Sequence, residues 1–230
     1  NPLFSMISLS KSLLKSSEDE RVKFIGNSLY EESLMLNFQV KNIITAAEIE
    51  SGTIDINVSK IDFLDILLQI KEELQYPLLH KKIDLKITTL CEDGVYMDRE
   101  KVYIILLNLI SNAVEFSPMY SKVIIEINEE NKNSVEFVIR DFGEGIDKSD
   151  YENIFKRFYQ AHSGLNRAHR GQGLGLSVVK DLSELLDGTI SFESVFLESS
   201  TFKVLLPKMQ KVQNELFDED DFLFVDNDSE

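Results

Sequence analysis

Apolar residues change their period several times along this chain. Over residues 1–50 they recur at helical spacing. Leu3, Met6, Leu9 and Leu13 fall three to four apart, with Ile7 and Leu14 beside them. Val22, Leu29, Leu36 and Ile43 then fall seven apart, with Val40 and Ala47 four beyond the last two. Between the two runs, residues 16–20 read as a turn and N-cap, and Ser51-Gly52 as the stop of the second helix. So narrow a stripe suits a helical hairpin packed against another copy, and one hairpin alone has too little core. A dimeric four-helix bundle is therefore expected over packing only within the chain.

After Gly52 the pattern switches. Residues 53–58 alternate and predict a strand; 61–79 predict a helix with Ser59 as its cap; 83–90 alternate again. A strongly apolar helix is expected over 98–115, then a hairpin of strands 123–127 and 135–140 turning through 128–133. A helix over 173–186 is stopped by Asp187-Gly188, and strands 189–194 and 201–206 close the pattern at Pro207. The sum is an α+β chain: a two-helix hairpin (1–52), an α/β layer of mixed strands with helices on one face (53–208), and a tail (209–230). That tail loses periodicity, and its one apolar run, 222–225, leads back into acids.

Two features interrupt the core pattern and carry chemistry. Asn108 and Asn112 lie four apart, on one face of an otherwise apolar helix. Buried amides need partners, so they form either a hydrogen-bonded core pair or, preferably, a Mg²⁺-phosphate site of oxygen ligands. The second feature is glycine density. Six of the ten glycines fall between Asp141 and Leu176, namely Gly143, Gly145, Gly164, Gly171, Gly173 and Gly175. Glycine loops running into a helix aim free N–H groups and a helix dipole at an anion, most simply a nucleotide phosphate.

Composition narrows the partners. Net charge is −16, of which eight negative charges fall in 215–230, where Lys and Arg are absent. That balance argues against general nucleic-acid or anionic-membrane binding, so cations that meet a nucleotide must be placed locally. The lone Cys91 excludes an internal disulfide framework and reads as a half-buried thiol. No apolar run approaches the length of a membrane span, no signal peptide is visible, and a cytoplasmic segment without membrane contact is expected, whatever lies upstream.

Four ordered motifs resemble those of sensor histidine kinases. Asp98, Asn108, Asn112, Ala113, Phe116 and Pro118 are similar to the family's N-box. Asp141, Gly143 and Gly145 are similar to its first glycine box. Phe155, Arg157, Phe158 and Tyr159 match its F-box, and Gly171, Gly173, Leu174, Gly175 and Leu176 its second glycine box. Gly188, Ile190, Ser200, Phe202 and Pro207 resemble its closing strands, 47–52 the end of its second dimerisation helix, and Asn1 and Pro2 the tail of its histidine box. The resemblance runs from residue 1 to about 208. It implies a homodimerising phosphoacceptor hairpin joined to an ATP-binding domain of the GHKL (Bergerat) type.

By that resemblance Asn112 is the Mg²⁺ ligand and Asn108 a catalytic, phosphate-side contact. Asp141 accepts from the adenine amino group, supported by Ser200, with Ile146 and Phe155 walling the slot. Phe158 and Tyr159 anchor a lid over 160–170, and Arg170, Gly171, Gly173, Leu174, Gly175 and Leu176 surround the phosphates. Lid closure then excludes water, and the γ-phosphoryl moves in line to a histidine. That histidine is expected five residues before Pro2, upstream of residue 1, and Asn1 resembles a position that orients water for phosphatase action. A response-regulator aspartate is the final acceptor.

Three positions depart from the family pattern. Glu115 stands where Lys is usual, Gln160 where Arg often follows the F-box Tyr, and Leu197 and Ser199 where a third glycine box is expected. Arg157, Arg167 and Arg170 are candidates to compensate. The departures sustain an alternative reading, a degenerate nucleotide-binding scaffold or phosphatase-biased module. A chaperone or topoisomerase ATPase is disfavoured by the hairpin and the short lid. His80 reads as a helix C-terminal dipole partner, and His162 and His169 as exposed lid residues.

Overall fold

Seven-residue apolar spacing does produce one long helix. In the computed structural model, which describes residues 2–16, 18–91, 95–160 and 172–210, α1 (Pro2–Ser16) and α2 (Glu20–Ser51) form a hairpin. Asp19 caps α2 by accepting from the Arg21 N–H at 2.8 Å, and Gly52 ends it in the left-handed region. Gly26 lets the two helices close: a Cβ there would stand 3.2 Å from Leu14. Leu29, Leu36 and Ile43 stay 42–46% exposed. The opposite side of α2 packs inward through Asn42, Thr45 and Ala46. The hairpin thus docks on its own chain and keeps an exposed apolar stripe.

Asp84–Thr89 (β2), Lys122–Asn131 (β4), Ser134–Asp141 (β5), Thr189–Val195 (β6) and Ser199–Pro207 (β7) build a five-stranded mixed sheet in the order β2-β4-β5-β7-β6. Only β2 and β4 run parallel. Alternation buries Val123, Ile125, Ile127, Val135, Phe137, Ile139, Val204 and Leu206 on one face. That face is covered by α3 (Phe63–Glu73), α5 (Arg99–Phe116) and α6 (Gly175–Leu185), with Phe63 meeting Phe137 edge-on at 5.5 Å. The α+β architecture, with terminal helices leading into a mixed sheet and helices on one face, is as read from the pattern.

Local differences have local causes. The strand expected over 53–58 begins instead at Val58: β1 (Val58–Ile61) pairs antiparallel with an unexpected β3 (Val95–Asp98). Just before β1, the Asn57 N–H is taken by the Asp98 carboxylate at 2.7 Å. The helix expected over 61–79 splits at Leu74 into α3 and α4 (Gln75–Lys81), because Pro77 cannot donate to, and clashes with, the carbonyl four residues back. Its cap is Asp62, which accepts from the Leu64 N–H, and not Ser59. The β4–β5 turn is tighter than 128–133, so both strands run longer, with a bulge at Glu129–Asn131. Among the described residues no helix is long and apolar enough to cross a membrane.

Candidate functional site

Sheet register builds one wall of the site. Asp141 at the end of β5 stands opposite Ser200 on β7, and Ser200 stands opposite Ser194 on β6. Directly opposed residues share a face, so these three line up across three strands on the helix-covered side. Asp141 is buried and accepts from the Gly143 N–H at 2.9 Å and from the Ser200 backbone. Burial pushes its carboxyl from the ordinary 3.8 up to about 6, against the pull of those backbone donors. Ser200 therefore supports Asp141 through its main chain, while its hydroxyl lies 3.3 Å from that of Ser194. Ser194 was not anticipated. Its Oγ accepts from the Ile146 N–H at 2.8 Å and donates to the Ser199 carbonyl at 2.9 Å, tying the loop after Gly145 to the sheet edge. The one sequence signal for it was its place at the end of an expected strand.

The loop from Asp141 also meets the end of α5. A Cβ at Gly143 would stand 2.2 Å from the Phe116 carbonyl oxygen, so only glycine lets the two segments touch. Gly145 lies against the Val195 carbonyl. Ile146 and Phe155 pack on the core edge, Phe155 meeting Phe192 at 5.8 Å between ring centroids. Tyr159 is tied down, donating to the buried Asp150 carboxylate at 2.6 Å. Phe158 is not: its ring is 72% exposed, at a positive φ of 61°, while its N–H donates to the Gly173 carbonyl at 2.8 Å.

Helix α6 completes the constellation. Helices α2, α3 and α5 each begin with an aspartate cap, whereas α6 begins after Leu174, whose side chain makes no cap bond, among the described residues. Its leading N–H groups are thus left for an anion. At the same turn α5 comes close: a Cβ at Gly175 would stand 2.7 Å from Asn108 Oδ1 and 3.9 Å from Asn112 Nδ2. Leu174 is buried beneath, and Leu176 packs against the core. The two asparagines differ. Asn112 is half-buried. Asn108 is 1% exposed and bonds reciprocally to Asn42 of α2, each amide donating to the other at 2.9 Å, with a further bond from Asn108 Nδ2 to the Ile104 carbonyl. Its polar partner is on the hairpin, not Asn112.

Charges around the site are arranged unexpectedly. Glu115, the apparent reversal, lies beside Lys81, whose ammonium donates to the carbonyls of Val114, Glu115 and Ser117 at the C-terminus of α5. Burial lowers the Lys81 pKa, and Glu115 and Glu144 act to raise it. The acid therefore has a cation next to it that the sequence motifs did not reveal. Arg157 is engaged elsewhere, bridging Glu50 of α2 at 2.9 Å and Asp181 of α6 at 3.0 Å. Asn1, Arg167, Arg170 and Gly171, with His162 and His169, lie outside the described residues. Among the described residues no cluster of three His, Cys, Asp or Glu could hold a metal. The amide oxygen of the half-buried Asn112 is nonetheless a ligand type that fits Mg²⁺, which takes few protein ligands and fills its sphere with phosphates and waters.

Similarity to known proteins agrees with this geometry. Residues 97–210 match the family described as histidine kinase-, DNA gyrase B-, and HSP90-like ATPase. The autoinducer 2 sensor kinase/phosphatase LuxQ of Vibrio vulnificus is 31% identical over 219 residues, covering 90% of this chain and 25% of its own length. The circadian input-output histidine kinase CikA of Synechococcus elongatus is 28% identical over 218 residues, covering 92% and 29%. The chain thus spans under a third of the length of these relatives. Among solved structures, the Acinetobacter baumannii histidine kinase AdeS shares the fold with a TM-score of 0.63 at 23% identity, over 91% of this chain and 98% of that one. Full-length ShkA, solved in complex with AMPPNP, gives 0.67 at 21% identity, over 91% and 44%.

Proposed function

We propose, for a chain that belongs to the histidine kinases and carries their GHKL-type ATP-binding core behind a helical hairpin, that it binds Mg·ATP between α5, α6 and the end of β5. In this reading it delivers the γ-phosphoryl group to a histidine N-terminal to residue 1. The observation that carries the reading is the meeting of a glycine-led helix N-terminus with two asparagines of α5, the helix whose far end touches the loop that follows a buried carboxylate.

Each group has a task. Ionised Asp141 accepts from the adenine amino group, held by the Gly143 and Ser200 N–H donors, while Ile146 and Phe155 wall the ring. The first turn of α6, with Gly173, Gly175 and their neighbours, offers N–H groups to the phosphates. Asn112 holds Mg²⁺, which when bound neutralises phosphate charge. Asn108 contacts the phosphate side, and Arg170 and Gly171 join it on the strength of the sequence motifs. Transfer needs positioning more than covalent chemistry from the protein. The exposed stripe Leu29, Leu36 and Ile43 packs on a second copy, and a response-regulator receiver domain takes the phosphoryl onto aspartate.

The test uses a chain extended upstream to include the acceptor histidine. Incubated with γ-labelled ATP and Mg²⁺, it should acquire acid-labile phosphate, and Asp141→Asn should not. A second reading, nucleotide binding without transfer, is favoured by the engagement of Asn108 with Asn42. Calorimetric ATP binding by a histidine-bearing chain that never becomes labelled would select it. No binding at all would refute both.

A further inference from the structure

Of all the polar groups expected at the nucleotide site, one is already spoken for. Asn108 Nδ2 has two hydrogens, and both are used, one by Asn42 Oδ1 and one by the Ile104 carbonyl. Its Oδ1 accepts from Asn42 Nδ2. With Asn108 1% and Asn42 5% exposed, no phosphate oxygen reaches this amide while α2 is in place. The residue that closes it comes from the hairpin, sixty-six positions away in sequence.

The rest of the α2 seam is lightly built. Ala46 is the one fully buried apolar side chain that α2 gives to the core, helped by Phe38 and Ile49 at its edge. A polar cleft of about 530 Å³ opens between α2 and α5, bordered by Lys41, Thr45, Glu48 and Lys101. Other links of α2 to the core include Glu50 to Arg157 at 2.9 Å, Lys41 to Glu100 at 3.7 Å, the Lys41 ammonium over the Tyr103 ring at 4.5 Å and Gln172 to Gln39 at 3.4 Å. Pairs of that kind hold little and weaken with salt. The buried amide pair is therefore the specific element of the seam. Either partner alone would be a buried polar group without a match.

We propose that Asn42 is a latch on the nucleotide site: docked α2 sequesters the Asn108 amide, and a bound triphosphate and docked α2 compete for it. This rests on the reading that Asn108 serves the phosphates. Competition for one amide makes the two events reciprocal, so ATP should loosen the hairpin and loosening the hairpin should tighten ATP. The apparent affinity of the docked chain is reduced by the fraction of molecules in which the latch is open.

The experiment has two readouts on the full chain, in a Cys91→Ser background. Spin labels at Glu48→Cys on α2 and Lys180→Cys on α6 report their separation by pulsed EPR, without any ligand. Calorimetry with Mg·ATP reports affinity. Asn42→Ala should lengthen or broaden the label distance and tighten ATP about tenfold, the scale set by two neutral hydrogen bonds. Glu50→Ala, which leaves no buried group unpaired, should do the same by about twofold, as befits one exposed pair. In the unsubstituted latch, ATP should move the distance in the same direction. An unchanged label distance in both variants overturns the latch. So does an opened seam with unchanged ATP affinity, which would make Asn42 a packing residue only. If neither the starting chain nor any variant binds ATP, the nucleotide reading itself fails and the latch falls with it. Equal binding by all forms sinks the latch alone.

Discussion

Asp141→Asn should act in opposite senses on nucleotide binding and on the pH dependence of stability. Burial raises the Asp141 carboxyl from 3.8 to about 6 in the folded chain. An acid raised in this way is protonated in the native state and ionised in the unfolded one between those two values. Wild-type stability therefore falls as pH rises from about 4 through about 6, and this contribution levels off by about pH 7. A carboxyl that releases its proton about two pH units later in the folded chain than in the unfolded one costs roughly 3 kcal/mol once ionised. Asparagine has no such titration. The difference in unfolding free energy, Asp141→Asn minus wild type, should accordingly climb by roughly 3 kcal/mol between about pH 3 and pH 7, most of it between pH 4 and pH 6, and then level off. Its absolute offset depends on whether the new amide N–H₂ meets the Ser200 or Gly143 N–H, but its slope does not. Urea melts followed by circular dichroism at half-unit pH steps measure it.

The same carboxyl must be ionised to accept from an adenine amino group. ATP affinity should be flat above pH 7 and fall about tenfold per unit below pH 6. Near pH 6, binding should release protons, seen as a buffer-dependent heat. Asp141→Asn should show neither the heat nor the affinity. A stability difference that is level from pH 4 to pH 7 would mean the carboxyl is not raised. A variant that still binds ATP like wild type would mean that Asp141 is not the adenine acceptor.

Other substitutions test the remaining joints. Gly175→Ala sets a methyl 2.7 Å from an Asn108 amide that is pinned on both sides, so it should cost about 1–3 kcal/mol in thermal or urea unfolding and impair ATP binding as well. Ser194→Ala removes the hydroxyl shared by Ile146, Ser199 and Ser200; a loss of about 1–3 kcal/mol and a weaker adenine slot are expected, and normal ATP affinity would show that the loop holds itself. Leu36→Glu places a charge in the exposed stripe of α2, and light scattering should report monomers where the unsubstituted chain gives dimers; an unchanged mass would locate the dimer elsewhere.

Elements whose signals are local were legible in the sequence. The apolar helix, the alternating strands and the glycine punctuation each depend on neighbours a few residues away, and the helix expected over 98–115 is found at Arg99–Phe116. Where expectation failed, a partner distant in sequence decided the outcome. β1 is displaced because its pairing strand, Val95–Asp98, is four residues long and was hidden at the start of a helix signal. The break at Leu74 is the exception, since Pro77 announced it. Among the motif positions, strand register sets Asp141 opposite Ser200, and one face of α5 brings Asn108 and Asn112 to Gly175. Ser194, Lys81 and Asn42 were illegible for a common reason. Each acts through a hydroxyl, ammonium or amide that finds its partner only after the layers have packed.

Groups fixed by register and helix phase are held by many backbone bonds and cannot leave the site without unfolding it. Asn42 and Glu50 belong to an element attached through a narrow buried strip and a few exposed ion pairs, so their contacts can be exchanged at small cost. Glu115 sits between the two regimes: Lys81 anchors the backbone of its helix end and lies beside its charge. If Lys81 absorbs the reversal, Lys81→Met should weaken ATP binding far more than Glu115→Gln strengthens it, because removing the cation leaves the charge of the acid and three carbonyl dipoles uncompensated at the end of α5. Equal and opposite effects of the two substitutions would instead mean that Glu115 meets the phosphates directly.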